Sequence, residues 1–163
     1  MLQPTLHLLV GLPGSGKTTL AKRISMEGKT IRLTPDEWQL RLFGDDTDHP
    51  EHDRRHSEVE AIMWELAVEL LKAGISVILD FGFWAIEERQ FFYKQAKHLS
   101  VFFRVHFLDV PREELLHRVS ARNESATQSA FTILPSHMAK WMDIFQPVTP
   151  EELSQYADLL PPG

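Results

Sequence analysis

The amino-acid sequence predicts an α/β fold, a three-layer sandwich in which helices cover both faces of a parallel sheet of four or five strands. Two observations lead to this prediction. Short apolar runs without clean alternation recur along the chain, as expected for strands that are buried on both faces. Segments with helical spacing of apolar residues lie between these runs, and this order is typical of strand–helix–strand units with parallel strands.

The predicted strands are apolar runs of the length of buried strands, each bounded by turn residues. They cover residues 5–10, 30–33, 76–80 and 101–108. A fifth strand has two candidate positions, residues 131–134 and 156–160, between which the sequence does not decide.

Helices are predicted from apolar residues at helical spacing and from their end signals. They cover residues 17–27, 54–73, 85–98, 111–123 and 136–145. Gly28 and Gly74 are suited to end the first two of these helices. A further short helix begins after residue 33, with Thr34 as the N-cap, Pro35 at the first helical position and Glu37 completing a capping box.

The composition excludes several classes of function. The chain has 163 residues, consistent with one domain over residues 1–163, and 43% hydrophobic and 25% charged residues are ordinary for a globular protein. A net charge of −6 makes nucleic acid an unlikely partner, although a small local basic groove stays possible. The absence of cysteine excludes disulfides, thiolate zinc sites and thiol catalysis.

The location expected from the sequence is the cytoplasm, with no membrane partner. The N-terminus MLQPTLHLLVG lacks a basic leader, and no apolar run reaches the length of a membrane span. The sequence does not indicate the oligomeric state.

The most specific motif is GLPGSGKT at residues 11–18, which follows a predicted strand and opens a predicted helix. Its glycines allow successive backbone N–H groups to face an anion, and the helix N-terminus adds its dipole. Lys17 is predicted to reach the β- and γ-phosphates of ATP, and the Thr18 hydroxyl is predicted to bind Mg²⁺. The predicted nucleotide-binding residues are Gly11, Pro13, Gly14, Ser15, Gly16, Lys17, Thr18 and Thr19. The predicted fold is therefore a P-loop NTPase, with the preference between ATP and GTP left open.

The segment SVILDFGFW is predicted to supply the second part of the site. Asp80 ends the apolar run, where a Walker-B aspartate would hold the magnesium shell; the alternative is a carboxylate that merely turns the chain. Phe81 and Trp84 follow at the carboxyl end of the strand, beside the expected ligand crevice. They are candidates for an acceptor pocket or for the core.

Asp36 has two interpretations. As a first-turn acid it is a carboxylate favoured by the helix dipole. Alternatively, it handles a substrate hydroxyl, because it follows a strand that is expected to lie beside the P-loop strand in a doubly wound sheet. Arg41, five residues further along the same segment, is a candidate for contact with the acceptor or a phosphate, or a surface residue.

Arg118 and Arg122 stand at positions i and i+4 of one predicted helix, next to a polar segment. Paired arginines in this position suit a small lid, at residues 118–131, that clamps phosphates during phosphoryl transfer. The alternative is a solvated helix face on which an arginine pairs with Glu114. The residues from 146 to 163 are predicted to form a C-terminal tail over the surface.

His52 and His56 have the spacing of metal ligands on a helix, but no third ligand is obvious in the acidic segment around them. Arg54 and Arg55 are predicted to lie in a loop over the acceptor. Together with Arg41 they could form a local basic groove.

The chain resembles the small P-loop kinases of the predicted-kinase, zeta-toxin-like group, and is similar in layout to polynucleotide kinase, chloramphenicol phosphotransferase and gluconate kinase. The resemblance covers roughly residues 6–152 and depends on GLPGSGKTTLAKRI, LTPDEWQLRLFGD, VILDFGFW, FLDVPREELLHRVSARN and FQPVTPEE. In this family the aspartate after the second strand orients or deprotonates the acceptor hydroxyl, and its position matches Asp36. The lid arginines of the family match Arg118 and Arg122, whereas Gln146 stands where the family often has glutamate.

The resemblance implies an ATP- and Mg²⁺-dependent kinase that transfers the γ-phosphate to a hydroxyl of a small-molecule acceptor. The implied catalytic residues are Asp36, Lys17, Arg118 and Arg122. Two alternatives stay open: a kinase for the 5′-hydroxyl of a polynucleotide or nucleotide, and an ATP-binding switch or toxin-like module without small-molecule kinase activity.

Overall fold

The four predicted strands form one parallel sheet in the computed structural model, which describes residues 3–125 and 131–162. The elements run in the order β1 (Thr5–Val10), α1 (Lys17–Met26), β2 (Thr30–Leu33), α2 (Pro35–Phe43), α3 (His52–Lys72), β3 (Ser76–Gly82), α4 (Ile86–Leu99), β4 (Phe102–Phe107), α5 (Arg112–Glu124), α6 (Pro135–Ile144) and α7 (Pro150–Gln155). A short 3₁₀ helix follows at Ala157–Leu159. The strand order is β2-β3-β1-β4, and every neighbouring pair is parallel. The expectation that the strand before Asp36 lies beside the P-loop strand is therefore wrong, because β3 lies between β2 and β1. The carboxyl ends of β2 and β1 still lie at the same edge, since the sheet is parallel.

Helices cover both faces of the sheet, so the predicted three-layer arrangement is confirmed. Leu6 and Leu8 of β1 pack toward α3 and α4, whereas Leu9 packs on the opposite face against Ala21 of α1. Because β1 is buried on both sides, its sequence is continuously apolar rather than alternating. None of the helices that the structure describes combines the length and apolar character needed to cross a membrane.

No fifth strand is present among residues 3–125 and 131–162. At the first candidate position, the backbone of Ile133 is bound by a side chain instead of a neighbouring strand. Asn123 donates to the Ile133 carbonyl at 2.7 Å and accepts from the Ile133 N–H at 3.2 Å. At the second candidate position the chain forms the 3₁₀ helix Ala157–Leu159. Residues 126–130 of the lid predicted at 118–131 lie outside the described residues.

The C-terminal segment is anchored by a buried ion pair that no local sequence pattern indicated. Arg89 of α4 and Glu152 of α7 are 0% and 1% exposed, and the guanidinium donates to both carboxylate oxygens at 2.6 and 2.7 Å. The second terminal nitrogen of Arg89 donates to the carbonyls of Phe83 and Gln146 at 3.0 Å each. The Tyr156 hydroxyl donates to Glu152 at 2.8 Å. The predicted tail therefore begins as a packed part of the fold, and Gln146 lies within this anchor.

Glu152→Gln should destabilise the protein by about 3–5 kcal/mol, because it leaves the Arg89 guanidinium buried without its counter-charge. Denaturant unfolding followed by circular dichroism measures the change. Glu151→Gln, at the exposed neighbouring position, is the matched control and should leave the unfolding midpoint in place. Equal midpoints for the two variants would show that the ion pair does not stabilise the tail.

Candidate functional site

The glycine-rich loop at residues 11–18 joins β1 to α1, at the carboxyl edge of the sheet, as predicted. Gly14 and Gly16 have φ of 83° and 96°, a left-handed conformation that L side chains rarely adopt. A Cβ on Gly11 would lie 2.5 Å from the Ser15 hydroxyl oxygen. Pro13 is half-buried within the loop, and Thr19 is exposed in the first turn of α1. The loop therefore turns back onto the start of α1, the geometry expected for an anion cradle.

Two polar groups in the loop suit a phosphate. The Ser15 hydroxyl is buried, at 4% exposure for the residue, and has no hydrogen-bond partner among the residues that the structure describes. Lys17 is half-buried and folds over the loop, where its ammonium donates to the Leu12 carbonyl at 3.1 Å. Burial lowers the pKa of Lys17, and the carboxylates of Asp80 and Asp36 oppose that shift. These groups fit a phosphate ligand, which would accept from both.

Asp80 lies near the end of β3, which continues to Gly82 rather than ending at Asp80 as predicted. The residue is 6% exposed, and its Oδ2 accepts from the hydroxyls of Thr18 at 2.8 Å and Thr34 at 3.2 Å. Burial raises the pKa of Asp80, opposed by Lys17 and by the two hydroxyl hydrogen bonds. The predicted metal ligands Thr18 and Asp80 thus lie together, and a hydroxyl with a carboxylate is a donor set that suits Mg²⁺.

The capping box predicted at the start of α2 does not form. Thr34 is the N-cap, but its side chain makes no capping hydrogen bond and is bound instead by Asp80 and by the Arg32 guanidinium. Glu37 turns to Arg32 in a bidentate pair at 2.9 and 3.0 Å. Arg32 thus binds both partners of the predicted box, Glu37 through a bidentate charge-assisted pair and Thr34 through one hydrogen bond.

Asp36 lies in the first turn of α2, and 61% of its side chain is exposed. Its charge acts on Lys17, Asp80 and Arg122. The His56 ring nitrogen Nδ1 is 3.8 Å from its Oδ1. The structure therefore brings Asp36 into one electrostatic cluster with the loop lysine and the predicted magnesium ligand.

The two arginines of α5 differ in their surroundings. The Arg118 side chain is 44% exposed and pairs with Glu114 at 2.7 Å, and it also donates to the Gly14 carbonyl of the loop at 3.3 Å. Arg122 donates to the Phe131 carbonyl at 3.5 Å, while its buried Nε has no partner among the described residues. Burial lowers the pKa of Arg122, and the charge of Asp36 opposes the shift. Arg118 thus makes the Glu114 pair given as the alternative, and it also contacts the glycine-rich loop.

The remaining predicted acceptor residues occupy different environments. Arg41 is exposed in the last turn of α2. Phe81 stacks on Phe83 at 5.4 Å between ring centroids and packs against the main core. Trp84 donates its indole N–H to the Gly11 carbonyl at 3.3 Å, so it packs against the P-loop. Their predicted contact with an acceptor stays a prediction.

The sequence interpretation missed a polar network between α2, α3 and the acidic segment that joins them. The Asp46 side chain, 4% exposed, accepts from Gln39, His52 and Arg55 at 3.1, 2.8 and 2.9 Å. Burial raises the pKa of Asp46, but the bonds from Arg55 and His52 hold it below its usual range. Gln39 is fully buried, which is uncommon for a glutamine.

The histidine pair and the neighbouring arginines also differ from the sequence interpretation. Among residues 3–125 and 131–162, no group of three or more histidines and carboxylates could hold a metal ion. His52 Nδ1 lies 2.8 Å from Asp46 and His56 Nδ1 lies 2.8 Å from Gln39, so both rings contact the polar network. Arg54 and Arg55 lie within α3 rather than in a loop. They pair with Glu51 and Asp46.

Comparison with known proteins supports the architecture. A family model, AAA_33, described as an AAA domain, matches residues 6–148. No curated protein sequence matches the chain.

Several solved structures share the fold. A chain from a Pnkp1/Rnl/Hen1 RNA repair complex superposes with a TM-score of 0.70 at 24% identity, over 91% of this chain and 49% of the other. A candidate kinase from Chloroflexus aurantiacus gives 0.72 at 17% identity, over 92% and 82%. Kti12 from Chaetomium thermophilum, in complex with ADP-AlF3, gives 0.65 at 19% identity, over 90% and 82%. The chain thus spans about half of the RNA repair chain.

Proposed function

The chain belongs to the AAA_33 family of AAA domains and has the fold of the small P-loop kinases, and on this basis we propose that it is an ATP- and Mg²⁺-dependent kinase that phosphorylates a hydroxyl of a small-molecule acceptor. The observation that carries the proposal is the convergence of Lys17, Asp80, Asp36 and Arg122 around the glycine-rich loop. The proposed kinase unit covers residues 1–163, with the lid at 118–131 and the tail at 146–163.

Each residue of the cluster has a separate task in the proposed reaction. The loop amides and Lys17 bind the phosphates of ATP, and Thr18 and Asp80 would hold Mg²⁺, which supplies positive charge to the phosphate oxygens. Asp36 accepts a hydrogen bond from the acceptor hydroxyl and orients its oxygen toward the γ-phosphorus. The new O–P bond forms as the bond to the ADP oxygen breaks, and the hydroxyl proton passes to the Asp36 carboxylate. A loose transition state needs this positioning more than early deprotonation.

The charge distribution beside Asp36 favours a small acceptor. Of the three arginines proposed for a basic groove, Arg54 is paired with Glu51 and Arg55 with Asp46, so both are neutralised by partners. Arg41 is then the one remaining arginine of the proposed groove, and the chain as a whole has a net charge of −6. Tight nucleic-acid binding usually needs several phosphate contacts from unpaired basic residues.

A second candidate function is phosphorylation of the 5′-hydroxyl of a polynucleotide. It is favoured by the similarity to a chain from an RNA repair complex, which extends over 91% of this chain. That similarity opposes the sequence-based expectation that nucleic acid is an unlikely partner.

A transfer screen with γ-labelled ATP separates these functions. The acceptors are sugars, nucleosides, antibiotics and an RNA oligonucleotide with a 5′-hydroxyl. We expect label on a small-molecule hydroxyl, whereas label on the RNA end alone would assign the second function. Tight ATP binding with no acceptor-stimulated turnover would overturn both and favour an ATP-binding switch.

Arg118→Ala and Arg122→Ala should each lower turnover on the order of 10²-fold, because each removes charge-assisted hydrogen bonds that act mainly in the reacting state. Melting temperatures should change little for Arg118→Ala, since the Arg118–Glu114 pair is a surface pair. Steady-state kinetics and thermal unfolding measure the two effects. Arg112→Ala, at the start of the same helix, is the control. A variant that melts earlier but turns over normally would exclude a lid role for that arginine.

A further inference from the structure

His56 lies in α3 with its ring between the candidate acceptor site and the polar network. Its Nδ1 is 2.8 Å from the Gln39 side-chain oxygen and 3.8 Å from Asp36 Oδ1, and its Nε2 is 3.1 Å from Glu60 Oε1. Hydrogen bonding therefore determines which of its nitrogens carries a proton.

The orientation of the Gln39 amide determines the state of His56 Nδ1. The Gln39 Nε2 group lies 3.1 Å from Asp46 Oδ1 and 3.2 Å from the His52 carbonyl, and both of these oxygens only accept. This end of the amide is therefore the NH₂ group, and the other end is the carbonyl. A carbonyl oxygen at 2.8 Å from Nδ1 requires that Nδ1 carries a proton.

Glu60 determines the state of the other ring nitrogen. The Glu60 carboxylate oxygen at 3.1 Å from Nε2 favours a proton on this nitrogen, because an unprotonated Nε2 would set its lone pair against the carboxylate. The imidazole is the stronger base of the two groups, so the proton resides on the ring. Both nitrogens are then protonated, and His56 is a cation.

We propose that Gln39 and Glu60 hold His56 as an imidazolium whose charge positions the Asp36 carboxylate in the acceptor site. His56 is thus a positioning residue, which acts on the acceptor through Asp36. This inference rests on the proposed role of Asp36 in phosphoryl transfer.

The charges around the ring support this assignment. Asp36 faces His56 from α2, and Glu60 and Asp53 face it from α3 itself, while the His52 ring stacks at 6.3 Å. Burial lowers the pKa of His56, but the hydrogen bond and charge of Glu60, with the charges of Asp36 and Asp53, raise it overall. Arg122 of α5 acts on the same Asp36 carboxylate.

The charge of His56 can be measured without an acceptor, by ¹⁵N NMR of histidine-labelled full-length protein. His56→Gln identifies the signals of His56 among the eight histidines. We expect the midpoint for protonation of the second ring nitrogen to lie above the ordinary 6.5. Asp36→Asn and Glu60→Gln should each lower that midpoint.

Two neighbouring substitutions are the matched controls. The first is Glu37→Gln, because Glu37 is next to Asp36 in the sequence but pairs with Arg32. The second is Glu58→Gln, because Glu58 is exposed on α3. Both should leave the His56 midpoint in place. A His56 midpoint at or below 6.5, or equal midpoints in Asp36→Asn and Glu37→Gln, would overturn the proposal.

A kinetic measurement tests the positioning role, with the acceptor that takes label in the screen, or with the 5′-hydroxyl RNA oligonucleotide. His56→Gln retains a hydrogen-bond donor without the charge, and it should lower acceptor turnover by up to about 100-fold while KM for ATP stays within about twofold. Turnover of the unmodified protein should decline as pH rises through the His56 midpoint, and the variant should lack this decline. Unchanged turnover and an unchanged pH profile would overturn the positioning role. Absence of any acceptor would count against the proposed function instead, while the NMR titration still decides the charge of His56.

Discussion

Lys17→Ala should abolish phosphate transfer, with a loss on the order of 10³-fold or more, and should also weaken ATP binding. The ammonium lies within the curve of the loop, where it donates to the Leu12 carbonyl and can exchange this partner for phosphate oxygens. A preorganised cation at developing charge in a water-poor site is worth several kcal/mol in the transition state. Calorimetric titration with ATP and the labelled transfer assay measure the two effects.

The loss in Lys17→Ala should not come from unfolding. Burial opposes the charged form of Lys17, so its removal relieves a desolvation cost instead of breaking a stabilising pair. Lys22→Ala, on the exposed part of the same helix, is the control and should behave like the unmodified protein. Full activity together with unchanged ATP affinity would contradict the assignment of residues 11–18 as the phosphate loop.

Asp36→Asn should lower acceptor turnover on the order of 10²–10⁴-fold, the usual scale for a positioned acid–base group. The change retains the shape of the side chain but removes the carboxylate that would orient and deprotonate the hydroxyl. ATP affinity should barely change, because the phosphates are bound by Lys17 and the loop amides. If Asp36 is only a first-turn acid, the substitution should instead cost about 0.3–1 kcal/mol of stability and leave the kinetics unchanged. Steady-state kinetics at saturating ATP and denaturant unfolding separate these outcomes.

Glu37→Gln is the matched control for Asp36→Asn. It weakens an ion pair with Arg32, because the predicted capping box does not form. Glu37 pairs with Arg32, and the partly exposed pair should contribute no more than about 1 kcal/mol. The control should therefore turn over normally with a small loss of stability. Equal kinetic losses in the two variants would assign Asp36 to helix stabilisation alone.

Local patterns predicted the parts of the structure that depend on residues close in sequence. The order of strands and helices, the turn at residues 11–18 and the start of α2 after Thr34 all follow from spacing, glycine and proline within one or two turns. The meeting of Thr18 with Asp80, 62 positions apart, was also predictable, because parallel strands place their carboxyl ends at one edge of the sheet.

Polar contacts between distant segments were not predictable in this way. Glu37 and Thr34 match a capping box by spacing, yet Arg32 on the preceding strand binds both, and no pattern ranks these competing partners. Arg89 and Glu152 are 63 positions apart and fully buried, although charged residues are rarely buried. The network of Gln39 and Asp46 was not predictable for the same reason, because polar residues are usually exposed and both of these are buried.

The central claim is that this chain transfers phosphate from ATP to a hydroxyl oriented by Asp36. Its most direct test follows γ-labelled ATP with Mg²⁺ and the acceptor identified by screening, and identifies the labelled product by mass. We predict a phosphomonoester on the acceptor hydroxyl, formed in equal amounts with ADP, reduced in Asp36→Asn and absent in Lys17→Ala. The claim would be contradicted if the label appeared only as inorganic phosphate. In that case the rate would be the same whether or not an acceptor is present, and the same in Asp36→Asn.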